Sequence, residues 1–405
     1  MVEKSSNKSK SNIILIVLDT FRADRMSLYG YNRKTTPHID KFAKKSLVFN
    51  NAFSTSTWTV PSHASFFTGL YPSAHKVEQE NIKLSPDIKT FPELLQKKGY
   101  ETVAFCNNPL ISLLNHDLRR GFDNFKNYSG VDSKIGQIFQ SLINSFPLFA
   151  RLSVNPMLVE LWSKNFKGNL KKSKKDIKEY FSKKKKDKPI FTFINLMETH
   201  LPYNPPKKFI KKWAPYWKKS RKSRKFLKKF NRQETHNWMI PYENKLKKEE
   251  AFILSDIYDA EINYTDTILK DIFKALEKLK ANTGRDNLII IVSDHGHSDG
   301  YTGNLRQEFE KSLFDIPDKE YSDFMKNNYH GYLGHAFDPN QQVSWVPLII
   351  KSEKIKSGVI DIPVSTRRIF HTILEEAKIK YNLKNNESVL DYSLFNQTKK
   401  EDLLI

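Results

Sequence analysis

At 405 residues, with 39% hydrophobic and 13% aromatic content, the chain can bury a large core, and its 14 Gly and 18 Pro exclude a collagen-like, low-complexity or disordered scaffold. The 67 Lys and Arg against 45 Asp and Glu give a net charge of +22, which favours anionic partners such as nucleic acid, acidic glycan or phospholipid without choosing among them. The lone cysteine, Cys106, excludes an internal disulfide framework and suits a reducing compartment.

The opening MVEKSSNKSKSN is polar, and residues 1–11 read as a tail. The apolar run Ile13–Leu18 behind it is far shorter than the roughly 20 residues a membrane span needs, and too short for a signal-peptide core. The expectation is a soluble, cytoplasmic protein without export signal, with peripheral membrane contact left open. Ile13–Leu18 itself, all aliphatic, predicts a strand buried on both faces of a largely parallel sheet, and it ends at Asp19. A helical pattern over Ile39–Lys45 comes next, then the hydroxyl-rich segment Thr55–Gly69, a helical pattern over Thr90–Lys98 and a short strand Thr102–Cys106. Two Lys-rich tracts, 164–188 and 207–232, flank a strand at Ile190–Leu196. From Glu249 to about Lys280, Ile253, Ile257, Ala260, Tyr264, Ile268, Ile272 and Leu276 recur at helical spacing. Strands at Asn287–Ser293, which runs into Asp294, and at Val346–Ile350 complete the alternation. The pattern predicts an α/β sheet flanked by helices, with functional residues at the carboxyl ends of the strands, where Asp19 and Asp294 both fall.

Taken alone, Asp19 reads as a turn or helix cap. Asp294-His295-Gly296 after a second buried strand changes that, because a carboxylate oxygen beside an imidazole nitrogen makes a good pair of ligands for a divalent cation. The cluster Thr55-Ser56-Thr57-Trp58-Thr59-Val60-Pro61-Ser62-His63 can cap a helix and also present a hydroxyl at its N-terminus, where backbone dipoles favour an anion. The Lys-rich tracts read either as solvated helical faces or as an electropositive apron on the route to the site. Trp213, Tyr216, Trp217 and Phe226 within the second tract favour an interface with a membrane surface or an anionic polymer. There is no internal repeat, zinc-finger spacing, Gly-rich phosphate loop or specific nucleic-acid motif.

These motifs resemble the sulfatases and their phosphohydrolase relatives within the alkaline phosphatase superfamily. Sulfatases carry Cys/Ser-x-Pro-Ser-Arg, two further residues, two apolar residues, then Thr-Gly; this chain matches that register at Thr59, Pro61, Ser62, Phe66, Phe67, Thr68 and Gly69. Leu18–Arg25, Tyr29-Gly30-Tyr31, Thr36–Asp40, Gly69–Pro72, Thr199–Tyr203, Tyr258–Ile262, Ser293–Gly296, Gly334-His335 and Val346–Ile350 follow in family order. The resemblance implies a large mixed, mostly parallel sheet sandwiched by helices over residues 12–378, with the Lys-rich insert at about 164–232. Ser365–Ala377 resembles the family's last core helix. The remaining 379–405 leaves room for only an abbreviated C-terminal subdomain.

The resemblance also implies that Asp19, Asp294 and His295 bind one divalent metal, with Thr59 bridging to it as the nucleophile. His200 and His335 match positions that face the ester oxygens or leaving group. His63 stands where sulfatases have Arg, and Thr20 where they have a second Asp; His63 can bond the ester, hold Thr59, or simply lie on the helix surface. His297, Asp299 and His330 lie nearby without a match. Oxygen ligands suit Ca²⁺, Mg²⁺ or Mn²⁺, and added histidines would favour Zn²⁺. Thr59 cannot become formylglycine, so the first expectation is hydrolysis or transfer of a phosphate ester through phosphothreonine. The substrate would be an anionic ester of a glycan, lipid or small molecule. A sulfatase without formylglycine, and an inactive member that binds anionic polymers or membrane through its basic surface, are the competing readings.

Overall fold

Asn12–Leu18 is apolar at six of its seven positions and fully buried along its length, as a strand in the middle of a covered sheet must be. The computed structural model describes residues 10–112, 116–129, 167–234, 248–299, 333–335, 340–381 and 392–396. In chain order the strands are β1 Asn12–Leu18, β2 Leu47–Phe49, β3 Ala52–Phe53, β4 Glu101–Cys106, β5 Asn124–Asn127, β6 Ile190–Leu196, β7 Asn287–Ser293, β8 Ser298–Asp299, β9 Leu333–Gly334, β10 Leu348–Lys351, β11 Gly358–Ile360 and β12 Val364–Ser365. Eight of them form one sheet in the order β11-β2-β10-β7-β1-β6-β4-β5. It is parallel except at β10, which runs antiparallel to both β7 and β2. The mixed, mostly parallel sheet expected from the sequence is therefore present.

Alternation along the strands assigns the two faces. Ile13, Leu15, Val17, Leu288, Ile290 and Val292 pack under helices Thr59–Thr68, Phe91–Lys97 and Arg368–Glu376. Ile14, Ile16, Ile289 and Ile291 pack under helices Pro37–Ala43, Leu170–Lys183 and the 36-residue helix Lys248–Thr283. Both faces are thus covered, and truncating a central residue such as Ile290 to Ala would cost about 2–5 kcal/mol. Among the described residues no helix is long and apolar enough to cross a membrane.

Three expected elements shift, and the first is the helix anticipated at Ile39–Lys45, which spans Pro37–Ala43. The strand anticipated at Val346–Ile350 begins only at Leu348, because Val346 bonds across to Ala52 and Pro347 has no N–H to give a ladder. The helix anticipated at Ser365–Ala377 spans Arg368–Glu376, and Val364–Ser365 instead pairs with β3. Beyond it, Tyr392–Asn396 folds back onto this helix. The buried Arg368 guanidinium donates to the carbonyls of Tyr392 at 2.8 Å, Ser393 at 3.0 Å and Asn396 at 3.2 Å, and Leu394 enters the core.

Candidate active site

β1 and β7 are parallel neighbours with Leu18 opposite Ser293, so the residues that follow, Asp19 and Asp294, leave the sheet side by side. Two-residue alternation places both carboxylates on the face covered by the Thr59–Thr68 helix, whose first residue is Thr59. Trp58 before it is extended, at φ −152°, so the chain turns into the helix at the nucleophile position. Ser54 ties this turn to the end of β7: its hydroxyl contacts the Asp294 carbonyl and lies 2.9 Å from Ser62 Oγ. Ser293 does the same for the other loop, accepting from Phe21 N at 2.9 Å while lying 2.5 Å from the Leu18 carbonyl.

Each carboxylate has one oxygen tied down and one bare. Asp294 Oδ1 accepts from the backbone N–H of His295 at 2.9 Å and of Thr20 at 3.2 Å, whereas the buried Oδ2 has no hydrogen-bond partner. Thr20 holds this position at φ 53°, a left-handed conformation unusual for a β-branched residue. Asp19 Oδ2 accepts from the Asn108 amide, and its buried Oδ1 has no hydrogen-bond partner. His295 donates Nδ1–H to the Gly296 carbonyl at 2.9 Å, which leaves the Nε2 lone pair 3.3 Å from Thr59 Oγ1 and 3.5 Å from Asp294 Oδ2. Gly296 admits no side chain, since a Cβ there would meet the Gln342 carbonyl at 1.8 Å.

Ligand atoms of Asp19, Asp294 and His295 lie within 4.8 Å of one another. Burial pushes the Asp294 carboxyl up to about 7. Burial, reinforced by repulsion from Asp294, raises Asp19 well above the usual carboxylate range. Two bare carboxylate oxygens and an imidazole lone pair facing one another in a dry site are the arrangement a divalent cation satisfies. The donor set fits the expected metal.

A second cluster lies against this one. His200 follows β6 and donates Nδ1–H to the Leu201 carbonyl at 2.7 Å. The His335 ring centroid is 4.5 Å from that of His295 and 5.1 Å from that of His200. His297, which the sequence left unmatched, is the third member, with Nδ1 3.2 Å from His335 Nδ1. Burial holds His297 down at about 3, and burial with repulsion from neighbouring histidines lowers His200 and His335 well below the usual range. Asp299 falls in β8, and His330 lies outside the described residues.

His63 is not on the helix surface. It is fully buried one turn behind the nucleophile, donates Nδ1–H to the Thr59 carbonyl at 2.8 Å, and packs on Phe66, Phe67 and Phe193. Burial lowers it to about 3, so it stays neutral and braces the helix start. Sequence reasoning missed Asn108, Ser54, Ser293 as a tie and Thr199, whose hydroxyl donates to the Asp19 carbonyl at 2.5 Å. Ser54 and Asn108 are signalled only by their places just after β3 and β4, whereas Ser293 and Thr199 lie inside recognised landmarks. Tyr258, inside a recognised landmark, donates to the Thr20 carbonyl at 2.6 Å.

The two Lys-rich tracts part company. Lys183–Lys186 precedes β6, and Lys184 pairs with Glu101 at the start of β4, so this run sits at the end of the sheet opposite the site. That corrects, for this run, the expectation that both tracts line the route in, whereas Lys167 of the same tract lies beyond the end of β6 at the site end, where it donates to Glu261 at 2.9 Å. Helices Lys207–Trp213 and Arg221–Glu234 follow the His200 loop at the site end. Asn231 bonds both ways with the Tyr203 backbone, and the Tyr203 ring centroid is 6.2 Å from that of His297. Trp213, Trp217 and Phe226 turn inward, which corrects the expectation that they form an aromatic interface.

An ulvan-active sulfatase of Formosa agariphila is 23% identical over 94% of this chain and 64% of its own length. In N-acetylglucosamine-6-O-sulfatase of Bacteroides thetaiotaomicron, 31% identity is confined to 30% of this chain and 21% of the relative. The chain thus spans less than two thirds of the length of these curated relatives. Among solved structures, the phosphonate monoester hydrolase of Agrobacterium radiobacter shares the fold with TM-score 0.63 at 17% identity, covering 95% of this chain and 77% of that one. The periplasmic domain of phosphoethanolamine transferase EptC from Campylobacter jejuni gives 0.59 at 18%, covering 97% and 96%. The Escherichia coli EptC domain, solved with zinc, gives 0.61 at 17%, covering 98% and 89%. The Sulfatase family model matches residues 11–379, a span that takes in the whole eight-stranded sheet and every site residue above, and the chain belongs to that family.

Proposed function

We propose that this chain is a metal-dependent phosphoester hydrolase or phosphoryl transferase with Thr59 as the nucleophile. The observation that carries the reading is the approach of Thr59 Oγ1 to His295 Nε2, 3.3 Å, in the company of two carboxylates with bare oxygens. Asp19, Asp294 and His295 would hold one divalent ion, which when bound lowers the pKa of a coordinated hydroxyl and shields an anionic ester. Two carboxylates, one imidazole and a hydroxyl suit Zn²⁺ or Mn²⁺ better than Ca²⁺ or Mg²⁺, and the zinc-bound EptC relative supports that choice.

Thr59 Oγ1 attacks phosphorus from the helix N-terminus, and the bond from phosphorus to the leaving oxygen breaks. The Thr59 hydroxyl proton passes to solvent as Oγ1 attacks, and Thr59 then carries the phosphoryl group. The leaving oxygen takes its proton from solvent, and His200, neutral and held by Leu201 through Nδ1–H, offers the Nε2 lone pair as the base that takes a proton from the second nucleophile. Water as that nucleophile restores Thr59 with release of phosphate, whereas an alcohol gives transfer. His63 holds the Thr59 carbonyl and so fixes the start of the attacking helix.

Threonine cannot supply a formylglycine aldehyde, and this favours phosphate over sulfate. Both relatives named as phosphorus-ester enzymes share the fold, which supports the same choice. Matched aryl phosphate, phosphodiester and aryl sulfate substrates should be offered to protein loaded with Zn²⁺ or Mn²⁺, and the quenched protein digested for mass spectrometry. Turnover of phosphorus esters with a phosphoryl group on the Thr59 peptide is expected. Turnover of sulfate alone, or a covalent adduct elsewhere, would refute the proposal.

A further inference from the structure

Between Tyr203 and Asn231 the sequence holds ten Lys and two Arg and no Asp or Glu. The fold turns all twelve cations outward. In helix Lys207–Trp213, Phe209, Ile210 and Trp213 face inward and Lys207, Lys208, Lys211 and Lys212 face solvent. In helix Arg221–Glu234, Ser223, Leu227 and Phe230 face inward while Arg221, Lys222, Arg224, Lys225, Lys228 and Lys229 face solvent. Among the described residues only Lys222 pairs with a carboxylate, Glu249, and that pair is itself exposed.

The same surface carries two of the three large hydrophobic side chains exposed among the described residues, Phe252 at 54% and Tyr216 at 36%. They are neighbours: Tyr216 donates to Asp256 Oδ2 at 3.0 Å, and Asp256 lies one helical turn after Phe252. The platform meets the site at Tyr203 and Asn231 and extends outward from it.

We propose that this platform docks onto an anionic lipid bilayer, its lysines against the headgroups and Phe252 and Tyr216 entering the interface. Dense lysine beside an exposed aromatic pair is the composition of an interfacial surface. Lysine presents diffuse point charge, whereas arginine would give the bidentate geometry that selects one defined phosphate or sulfate group. Trp213, Trp217 and Phe226, the rings that could stack on the sugars of a soluble polysaccharide, are packed inward, and the Trp213 indole donates to Asn263 at 3.1 Å. The proposal concerns binding alone and stands apart from the chemistry of Thr59.

Cosedimentation with vesicles of phosphatidylcholine, or of an equal mixture with phosphatidylglycerol, reads it without turnover. The full chain should bind the mixed vesicles at low salt, bind neutral vesicles far less, and release at high salt. Replacing Lys218, Lys219, Lys222 and Lys225 by Gln should weaken binding at least about 50-fold, since one lysine near an anionic surface contributes roughly fivefold. Phe252→Ser should weaken it about tenfold with an unchanged salt dependence. Replacing Lys183, Lys185, Lys186 and Lys188 by Gln removes the same charge at the opposite end of the sheet and should leave binding intact. No binding by the unmodified chain, equal loss in both lysine sets, or capture by dextran sulfate without vesicle binding would overturn the proposal, the last in favour of a polymer.

Discussion

The carboxylate–histidine centre and the lysine platform share one end of the sheet, yet they are built in opposite ways. In the centre each metal-ligand side chain is buried and anchored through one atom by a named partner, which aims its other atom: Asp294 Oδ1 by two backbone N–H groups, His295 by Gly296, Asp19 by Asn108. In the platform twelve charges are exposed and nearly interchangeable, with one exposed ion pair among them. Low dielectric and fixed geometry make the first sensitive to single atoms and almost insensitive to salt. Solvent screening makes the second sensitive to salt and tolerant of any one substitution.

The sharpest break between the two regions is therefore a single hydroxyl. Thr59→Ala should lower kcat by about 10⁴-fold or more while vesicle binding stays unchanged, and Thr59→Ser should retain measurable turnover. Steady-state rates on an aryl phosphate beside cosedimentation test both halves. A Thr59→Ala protein within tenfold of the parent would remove the nucleophile assignment.

Next in size is the electrostatic burden of the centre without its cation. With Asp294 raised to about 7, the folded metal-free protein keeps a proton that the unfolded chain releases near pH 4, so this group's contribution to stability falls as pH rises from about 4 to about 7. His63, His200, His297 and His335 oppose that trend, because their lowered values make stability rise with pH over the acidic range. Comparison with Asp294→Asn cancels the histidines. In chelator-treated samples the variant should be about as stable as the parent near pH 4 and melt roughly 5 °C higher near pH 8. Added Zn²⁺ or Mn²⁺ should reverse the order. A melting difference that ignores pH would mean that Asp294 is not the strained group.

Asn108 should give a smaller effect of the same kind. It holds one Asp19 oxygen and thereby aims the other, so Asn108→Ala should weaken metal affinity about 10- to 100-fold with the fold intact. Competition titration with a chelating dye reads this directly. An unchanged affinity would make Asn108 a packing residue.

What was legible in the sequence follows the same division. Asp19, Asp294, His295 and Thr59 could be read because buried strands and a helix start leave periodic signals, and the residue after each signal is fixed in space by the sheet. Val346 reads as strand from its apolar neighbours, but Pro347 interrupts the ladder, and β5 and β11 do not stand out because their partly exposed residues show no apolar alternation. The sequence leaves the role of His63 open, since a helix position one turn from its start gives no hint of the three phenylalanines around it. The lysine tracts are alike in lysine density, although the first also holds Asp176, Glu179 and Asp187. The direction of β6, which the Lys183–Lys186 run enters and the second tract leaves, places them at opposite ends of the sheet.

That separation yields the smallest and most conditional effect. A soluble dianionic ester reaching Thr59 passes a surface whose potential decays over about 10 Å at 0.1 M salt, so capture and not chemistry should feel the platform. Replacing Lys218, Lys219, Lys222 and Lys225 by Gln should lower kcat/KM about three- to tenfold at low salt, with kcat unchanged and the difference gone at high salt. The Lys183, Lys185, Lys186 and Lys188 set should leave kcat/KM alone, because β6 lies between those charges and the site. If both sets lowered kcat/KM equally, the substrate would be responding to the net charge of +22 and not to where the fold has put it.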